Sequence, residues 1–208
     1  MFTGITRGTY EVVATQTSGT VLTYTVALPD TLCTGLQLGA SVAIDGVCQT
    51  VVRIDGCQVT FDAIQETLAC TTLDSLRVGS KVSVERSMRA GDEIGGHEVS
   101  GHVVGTGQIA ERVHHEGVCD ICVAVPQDWM RYLLPKGFVA VDGSSLTIGQ
   151  TEPSGRFWIH LIPETLRLTN LGHKAVGEQV NIELDSRTVA IVDTVERVLA
   201  QRAAPHTE

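Results

Sequence analysis

Basic charge is scarce in this 208-residue chain: 15 Lys and Arg stand against 24 Asp and Glu, a formal net charge of −9. Without a basic footprint, nucleic acid and anionic membrane surfaces are poor partners, and a neutral or weakly charged small molecule fits better. Long apolar runs are missing as well. None approaches the ~20 residues of a bilayer-spanning helix, and the opening MFTGITRGTY lacks a basic stretch followed by an apolar one. Neither a membrane span nor a secretion signal is therefore expected, and the chain reads as cytoplasmic. With 43% hydrophobic and 19% charged residues, it belongs among globular chains with room for one large or two ordinary domains.

Metal and phosphate motifs are also thin. Cys119-x-x-Cys122 lies near His114 and His115 without a second pair, and VCDICVAV reads as a strand, which sends positions i and i+3 to opposite faces. No metal site is expected. The glycines of GGHEVSGHVVGTG precede no helix and no GK[ST] ending, which excludes a phosphate cradle. The cysteines (Cys33, Cys48, Cys57, Cys70, Cys119 and Cys122) are even in number, yet in a cytoplasmic chain with an ample core they read as reduced thiols rather than disulfides.

What the sequence has is short runs rich in Val, Ile and Thr, bounded by Gly or Asp: TYEVVA, TVLTYTVAL, SVAIDGVCQTVV, KVSVE, CVAV, FVAV and FWIHLI. Strands at such close spacing predict an all-β sandwich or barrel. Only residues 129–134 and the segment from Ser186 to about Ala203 read as helical. Self-similarity then decides the organisation. Residues 2–9 align with 99–106 and residues 41–51 with 138–148 at an offset of 97, while 66–68 align with 164–166 and 78–85 with 176–183 at 98. The chain is read as two tandem β domains, 1–96 and 97–185, followed by a helix and tail, 186–208. On that helix Val189, Val192, Val195, Val198 and Leu199 form one apolar stripe, which requires cover either from the chain's own domains or from another copy.

Two copies of one domain imply two similar pockets, and hence two copies of one ligand or two related ligands. Hydroxyls matched in both copies (Thr3 and Ser100, Thr50 and Thr147, Thr67 and Thr165), with the turn glycines Gly4 and Gly101, suit a polyol or a planar heterocycle. Unmatched positions assign different roles to like ligands. Ile5 stands opposite His102, Cys48 opposite Ser145, and Ser87 opposite Asp185. His102 suits a proton carrier, Asp185 an orienting group or base, and Cys48 a nucleophile. Each also has a purely structural reading: a turn residue, a helix N-cap and a small core residue, respectively.

Several of these segments carry a family resemblance. Residues 1–5 (MFTGI), 95–103 (GGHEVSGHV), 45–50 (DGVCQT), 142–147 (DGSSLT) and 161–166 (LIPETL) resemble those of riboflavin synthases of the α-chain type, and the likeness runs from Met1 to about Arg202. The resemblance implies two six-stranded Greek-key barrels, a homotrimer gathered by the C-terminal helices, and an active site between the N-terminal barrel of one subunit and the C-terminal barrel of another. It implies a cofactor-free dismutation in which two molecules of 6,7-dimethyl-8-ribityllumazine exchange a four-carbon unit. The products are riboflavin and 5-amino-6-ribitylamino-2,4(1H,3H)-pyrimidinedione. The first pocket is expected to comprise Gly4, Ile5, Thr6, Ser41, Cys48, Gln49, Thr50, Asp62, Ala63, Ile64, Gln65, Glu66 and Thr67. The second is expected to comprise Gly101, His102, Val103, Lys136, Ser145, Leu146, Thr147, His160, Leu161, Ile162, Pro163, Glu164 and Thr165. His102, Ser145, Thr147 and Asp185 are assigned the proton traffic, with Cys48 or Ser41 assisting. Gln49 and Val104 depart from the family's usual apolar and acidic residues. The alternative is a non-catalytic lumazine- or flavin-binding protein.

Overall fold

The computed structural model describes residues 1–203, so residues 204–208, the end of the expected tail, lie outside the described residues. Strands β1 (Thr9–Ser18), β2 (Val21–Ala27), β3 (Ser41–Ile44), β4 (Val47–Asp55), β5 (Gln58–Ala63) and β6 (Lys81–Arg86) close a first barrel in the order β1-β2-β5-β4-β3-β6. Strands β7 (Gly105–His115), β8 (Val118–Ala124), β9 (Phe138–Val141), β10 (Ser144–Glu152), β11 (Arg156–Leu161) and β12 (Gln179–Leu184) close a second barrel in the equivalent circuit. All neighbouring pairs are antiparallel. The repeat seen in the sequence is therefore a repeat of topology.

Alternation makes each strand two-faced. Along β4, Val47, Gln49 and Val51 turn inward while Cys48 and Thr50 face out. The first barrel fills with Val12, Tyr24, Val26, Phe61 and Val84, and the second with Ile109, Ile121, Phe157, Ile159 and Ile182. The six cysteines are free thiols. Short helices α1 (Asp30–Cys33), α2 (Gln65–Cys70) and α3 (Pro163–Leu168) pack Leu32, Leu68 and Leu166 against the barrel cores. The helix expected at 129–134 is a 3₁₀ segment at Gln127–Tyr132, begun by Pro126, whose fixed φ favours a tight first turn. The terminal helix, α4 (Ser186–Ala203), splits its stripe. Val189 and Val192 pack on the second barrel, whereas Ile191, Val195, Val198 and Leu199 are bare. Among the described residues no helix is long and apolar enough to cross a membrane.

The barrels meet through their matched Asp-Gly turns. Asp45 and Asp142 both take left-handed backbone, at φ 45 and 46, and a Cβ placed on Gly143 would lie 2.7 Å from the Gly46 Cα. Only glycine permits that approach. Polar bonds then cross between copies in pairs: the Asn170 N–H donates to Ser83 Oγ at 2.9 Å, and the Thr72 N–H donates to Asn181 Oδ1 at 2.8 Å. Asp45 Oδ1 accepts from the Ser83 N–H and from Asn170 Nδ2, while Asp142 faces the Lys174 ammonium at 2.6 Å.

Burial, reinforced by Asp142, pushes the Asp45 carboxyl up to about 8, against the opposing pull of Lys174 and the Ser83 N–H. The folded state thus holds a proton that the unfolded chain releases near pH 4. Stability from this site is full below about pH 4 and is lost as the pH rises through about 8. Asp45→Asn keeps the amide-accepting oxygen and removes the charge, so its melting temperature is expected to gain on the parent as pH rises from 5 to 9. Thermal unfolding followed by circular dichroism across that range checks it, and parallel curves count against it.

Candidate active sites

The segments leading into the two barrels are the key to both sites. Phe2 and Val99 form an antiparallel bridge between them. Each segment is then fixed by a buried carboxylate of its own barrel. Glu85 accepts from the Thr3 N–H at 2.8 Å, the Thr3 hydroxyl at 2.7 Å and the Gly4 N–H at 3.1 Å. Glu183 accepts from the Ser100 N–H and hydroxyl, both at 2.7 Å, and from the Gly101 N–H at 2.9 Å. Burial pushes both carboxyls up, and these donors oppose it. Hydrogen bonds to a charged acceptor are each worth roughly 1.5–3 kcal/mol, so either clamp is strong if its carboxylate is ionised.

Beyond the clamps each segment reaches across. Ser145 N–H donates to the Gly4 carbonyl at 2.8 Å, and Cys48 N–H donates to the Gly101 carbonyl at 2.9 Å. Thr6 and Ser144 share a hydroxyl bond of 3.1 Å, and Val103 packs on the first-barrel core. Gly4 and Thr6 thus bond to the second barrel, and Gly101 and Val103 meet the first, whereas the expected grouping placed each with its own barrel. A Cβ on Gly4 would lie 2.5 Å from that of Ser145, and one on Gly101 would lie 2.6 Å from that of Cys48, so the close approach needs glycine at both places.

Around Cys48 the outer face of the first barrel carries Ser41 and Thr50, which are cross-strand partners, and Asp62, which accepts from the Thr23 hydroxyl at 2.6 Å. Exposed Ile64 precedes α2, whose first turn holds Gln65, Glu66 and Thr67. The second face carries Ser145, Thr147, His160 and exposed Ile162, followed by Pro163, Glu164 and Thr165 in α3. Lys136 occupies left-handed backbone at φ 68, where the first copy has Gly39. Four expected residues turn the other way. Gln49, Ala63, Leu146 and Leu161 have their side chains inside the barrels, because strand alternation allots them the inner face. Gln49 Oε1 accepts from the Tyr24 hydroxyl at 3.2 Å.

His97 was not singled out from the sequence. Its Nδ1 lies 2.6 Å from Ser145 Oγ, and its ring stacks on Phe138 at 5.2 Å. Burial holds the imidazole below its usual value, with Asp185 pulling the other way. Asp185 itself accepts from the Thr188 N–H at 3.0 Å and hydroxyl at 2.6 Å, capping α4. Burial pushes this carboxyl up, but these bonds and the Arg187 N–H outweigh it and hold it below the ordinary value. Serine, a neutral imidazole and a nearby carboxylate form an arrangement able to move a proton to or from a molecule seated at Ser145. The GGHEVSGHV stretch carried the signal for His97, and the glutamates ending the matched blocks 78–85 and 176–183 carried the signal for the clamps.

Comparison with known proteins follows the same division. A family model described as "Lumazine binding domain" matches residues 3–87 and again 100–185. Riboflavin synthase of Escherichia coli (strain K12) is 49% identical over 203 residues, covering 97% of this chain and 95% of that one. The Chlamydia pneumoniae riboflavin synthase is 42% identical over 96% of this chain and 98% of its own. The crystal structure of LumP complexed with riboflavin superposes with a TM-score of 0.83 at 25% identity, covering 89% of this chain and all of that chain.

Because Asp185 raises the His97 titration, Asp185→Asn is expected to move its midpoint further down. Imidazole chemical shifts followed by NMR against pH check this, and an upward or absent shift counts against the assigned pair.

Proposed function

The chain belongs to the riboflavin synthase family, and we infer that it converts two molecules of 6,7-dimethyl-8-ribityllumazine into riboflavin and 5-amino-6-ribitylamino-2,4(1H,3H)-pyrimidinedione. One observation carries the reading. In a chain 49% identical to a riboflavin synthase over nearly its whole length, two equivalent strand positions, Cys48 and Ser145, are each sealed by the leading segment of the other copy. Like sites with unlike nucleophiles suit a reaction between two like molecules.

A four-carbon unit passes from one lumazine to the other, which places the enzyme among transferases. The atoms balance without oxidant or reductant, so no cofactor is called for. One lumazine loses a proton from its 7-methyl group and the other is attacked at C7. Ser145 and His97 are suited to hold or deprotonate the nucleophile at the second barrel, with Asp185 favouring the imidazolium that results. At the first barrel Cys48, Ser41 and Thr50 line the corresponding face, and His102 follows Gly101, whose carbonyl accepts from the Cys48 N–H. Thr147, Lys136, His160, Ile162 and Thr165 complete the second pocket. Holding the two rings together supplies much of the rate as proximity.

The working unit in this reading is a homotrimer in the cytoplasm. The bare half of α4, with Ile191 65% and Leu199 59% exposed, is the surface that brings copies together, so that the first barrel of one subunit (within 1–96) faces the second barrel (within 97–185) of the next. The helix and tail, 186–208, serve assembly.

Anaerobic incubation with 6,7-dimethyl-8-ribityllumazine alone is expected to consume two lumazines per riboflavin, followed by absorbance; tight binding without riboflavin makes the protein a carrier instead. Val195→Asp is expected to shift the sedimentation coefficient from trimer to monomer and to lower turnover at least tenfold, since a buried unpaired charge opposes association. A variant that stays trimeric counts against the helix as the assembly surface.

A further inference from the structure

The first barrel carries a pair of thiols that the second lacks. Cys33 ends α1, and Cys57 lies in the turn between β4 and β5. Backbone bonds bring these two places together. The Leu28 N–H donates to the Cys57 carbonyl at 2.9 Å, and the Cys33 thiol donates to the Leu28 carbonyl at 3.7 Å. The Cys57 thiol donates to Asp30 Oδ1 at 3.3 Å and lies within hydrogen-bonding reach of Cys33. Both thiols are partly exposed, and a Cβ on Gly56 would meet nothing within 4 Å, so the turn is open to a small reagent. In the second barrel the equivalent backbone bond runs from the Val125 N–H to the Gly155 carbonyl at 2.8 Å. There Gly155 and Met130 hold the places of Cys57 and Cys33, so one copy has both sulfurs as thiols and the other has no thiol at either place.

The two thiols differ in readiness to react. Hydrogen bonding to Cys33, followed by burial and the bond to Asp30, pushes the Cys57 thiol up to about 12. Cys57 therefore keeps its proton while Cys33 is the first to give one up. A thiolate beside a protonated thiol is the arrangement of an attacking and a resolving sulfur.

We propose that Cys33 and Cys57 are a reversible oxidation site for small-molecule disulfides, with Cys33 attacking and Cys57 resolving. The Cys33 thiolate attacks one sulfur of a disulfide RSSR, which breaks the S–S bond, leaves a mixed disulfide on Cys33 and expels RS⁻. Capping Cys33 removes the chief group that held the Cys57 proton, and the departing RS⁻ takes that proton. The Cys57 thiolate then attacks the Cys33 sulfur and expels the second RS⁻, which recovers from water the proton that Cys33 first gave up. One RSSR is reduced to two RSH, and two protein thiols are oxidised to one disulfide. The loop so closed, residues 33–57, contains Ser41, Cys48 and Thr50, so the link ties together the strands that carry the first candidate site.

The test is incubation of the reduced full-length chain with glutathione disulfide, followed by mass spectrometry of the intact protein and of its digest. Cleavage before Asp30, Asp45, Asp55 and Asp62 puts Cys33, Cys48, Cys57 and Cys70 on separate peptides. The expected product links residues 30–44 to residues 55–61, carries no glutathione on Cys33 or Cys57, and returns to the free thiols with dithiothreitol. It is expected to melt about 5 °C or more above the reduced form, because the closed loop restricts the unfolded chain. Cys57→Ser is expected to stop at one glutathione on Cys33, which identifies the attacking sulfur. Glutathione retained on either thiol of the parent, a link made instead through Cys48 or Cys70, or no reaction of Cys33 overturns the proposal.

Discussion

Glu85 and Glu183 are the groups on which the two sites depend. Each takes three hydrogen bonds from the segment that precedes its own barrel, and so aims the next carbonyl at a strand of the other barrel. Removing either carboxylate would leave buried amide and hydroxyl donors unpaired at the place where the segment must be held. The Phe2 and Val99 bridge then joins the two segments, and both residues are almost fully buried against Ala43 and Ala140. The two candidate sites therefore lie at the junction between barrels, each drawing a strand from one copy and a leading segment from the other.

Duplication supplies this geometry twice, and divergence supplies the chemistry. At one place the half-buried, outward-facing strand position is a thiol and at the other a hydroxyl in contact with His97. His102 stands where the first copy has Ile5, and Lys136 accepts a left-handed backbone where the first copy has Gly39. A non-glycine residue in that region is a local strain of order 1 kcal/mol or more, which fits a side chain retained for what it does. Two like molecules in two unlike sites can then take opposite parts in one reaction.

The barrels were legible because their information is local. Period-two alternation, Gly- and Asp-bounded runs and a repeat at offsets of 97 and 98 need no tertiary knowledge. Helices α1, α2 and α3 were not legible, since four to six residues are too few to show a 3.6-residue period. His97 escaped because it lies outside the aligned blocks, so comparing copies gave it no partner. Gln49, Leu146, Ala63 and Leu161 were included with neighbours two faces wide, although alternation sends every second residue inward. The exchange of leading segments between barrels was invisible, because its pairs lie about fifty to one hundred and forty residues apart in the chain.

The order of residues by itself determined the duplication, the strand content, the terminal helix and the set of outward-facing hydroxyls, thiol and imidazoles from which the sites are drawn. These follow from side-chain period and from identity between aligned positions, both of which are properties of neighbours in the chain. Tertiary structure alone decided which leading segment reaches which barrel, that His97 meets Ser145, that burial pushes the Asp45 carboxyl up, and that half of α4 stays bare. Each of those depends on groups brought together by burial and by long-range hydrogen bonds, whose energies exist only once both barrels have closed and met.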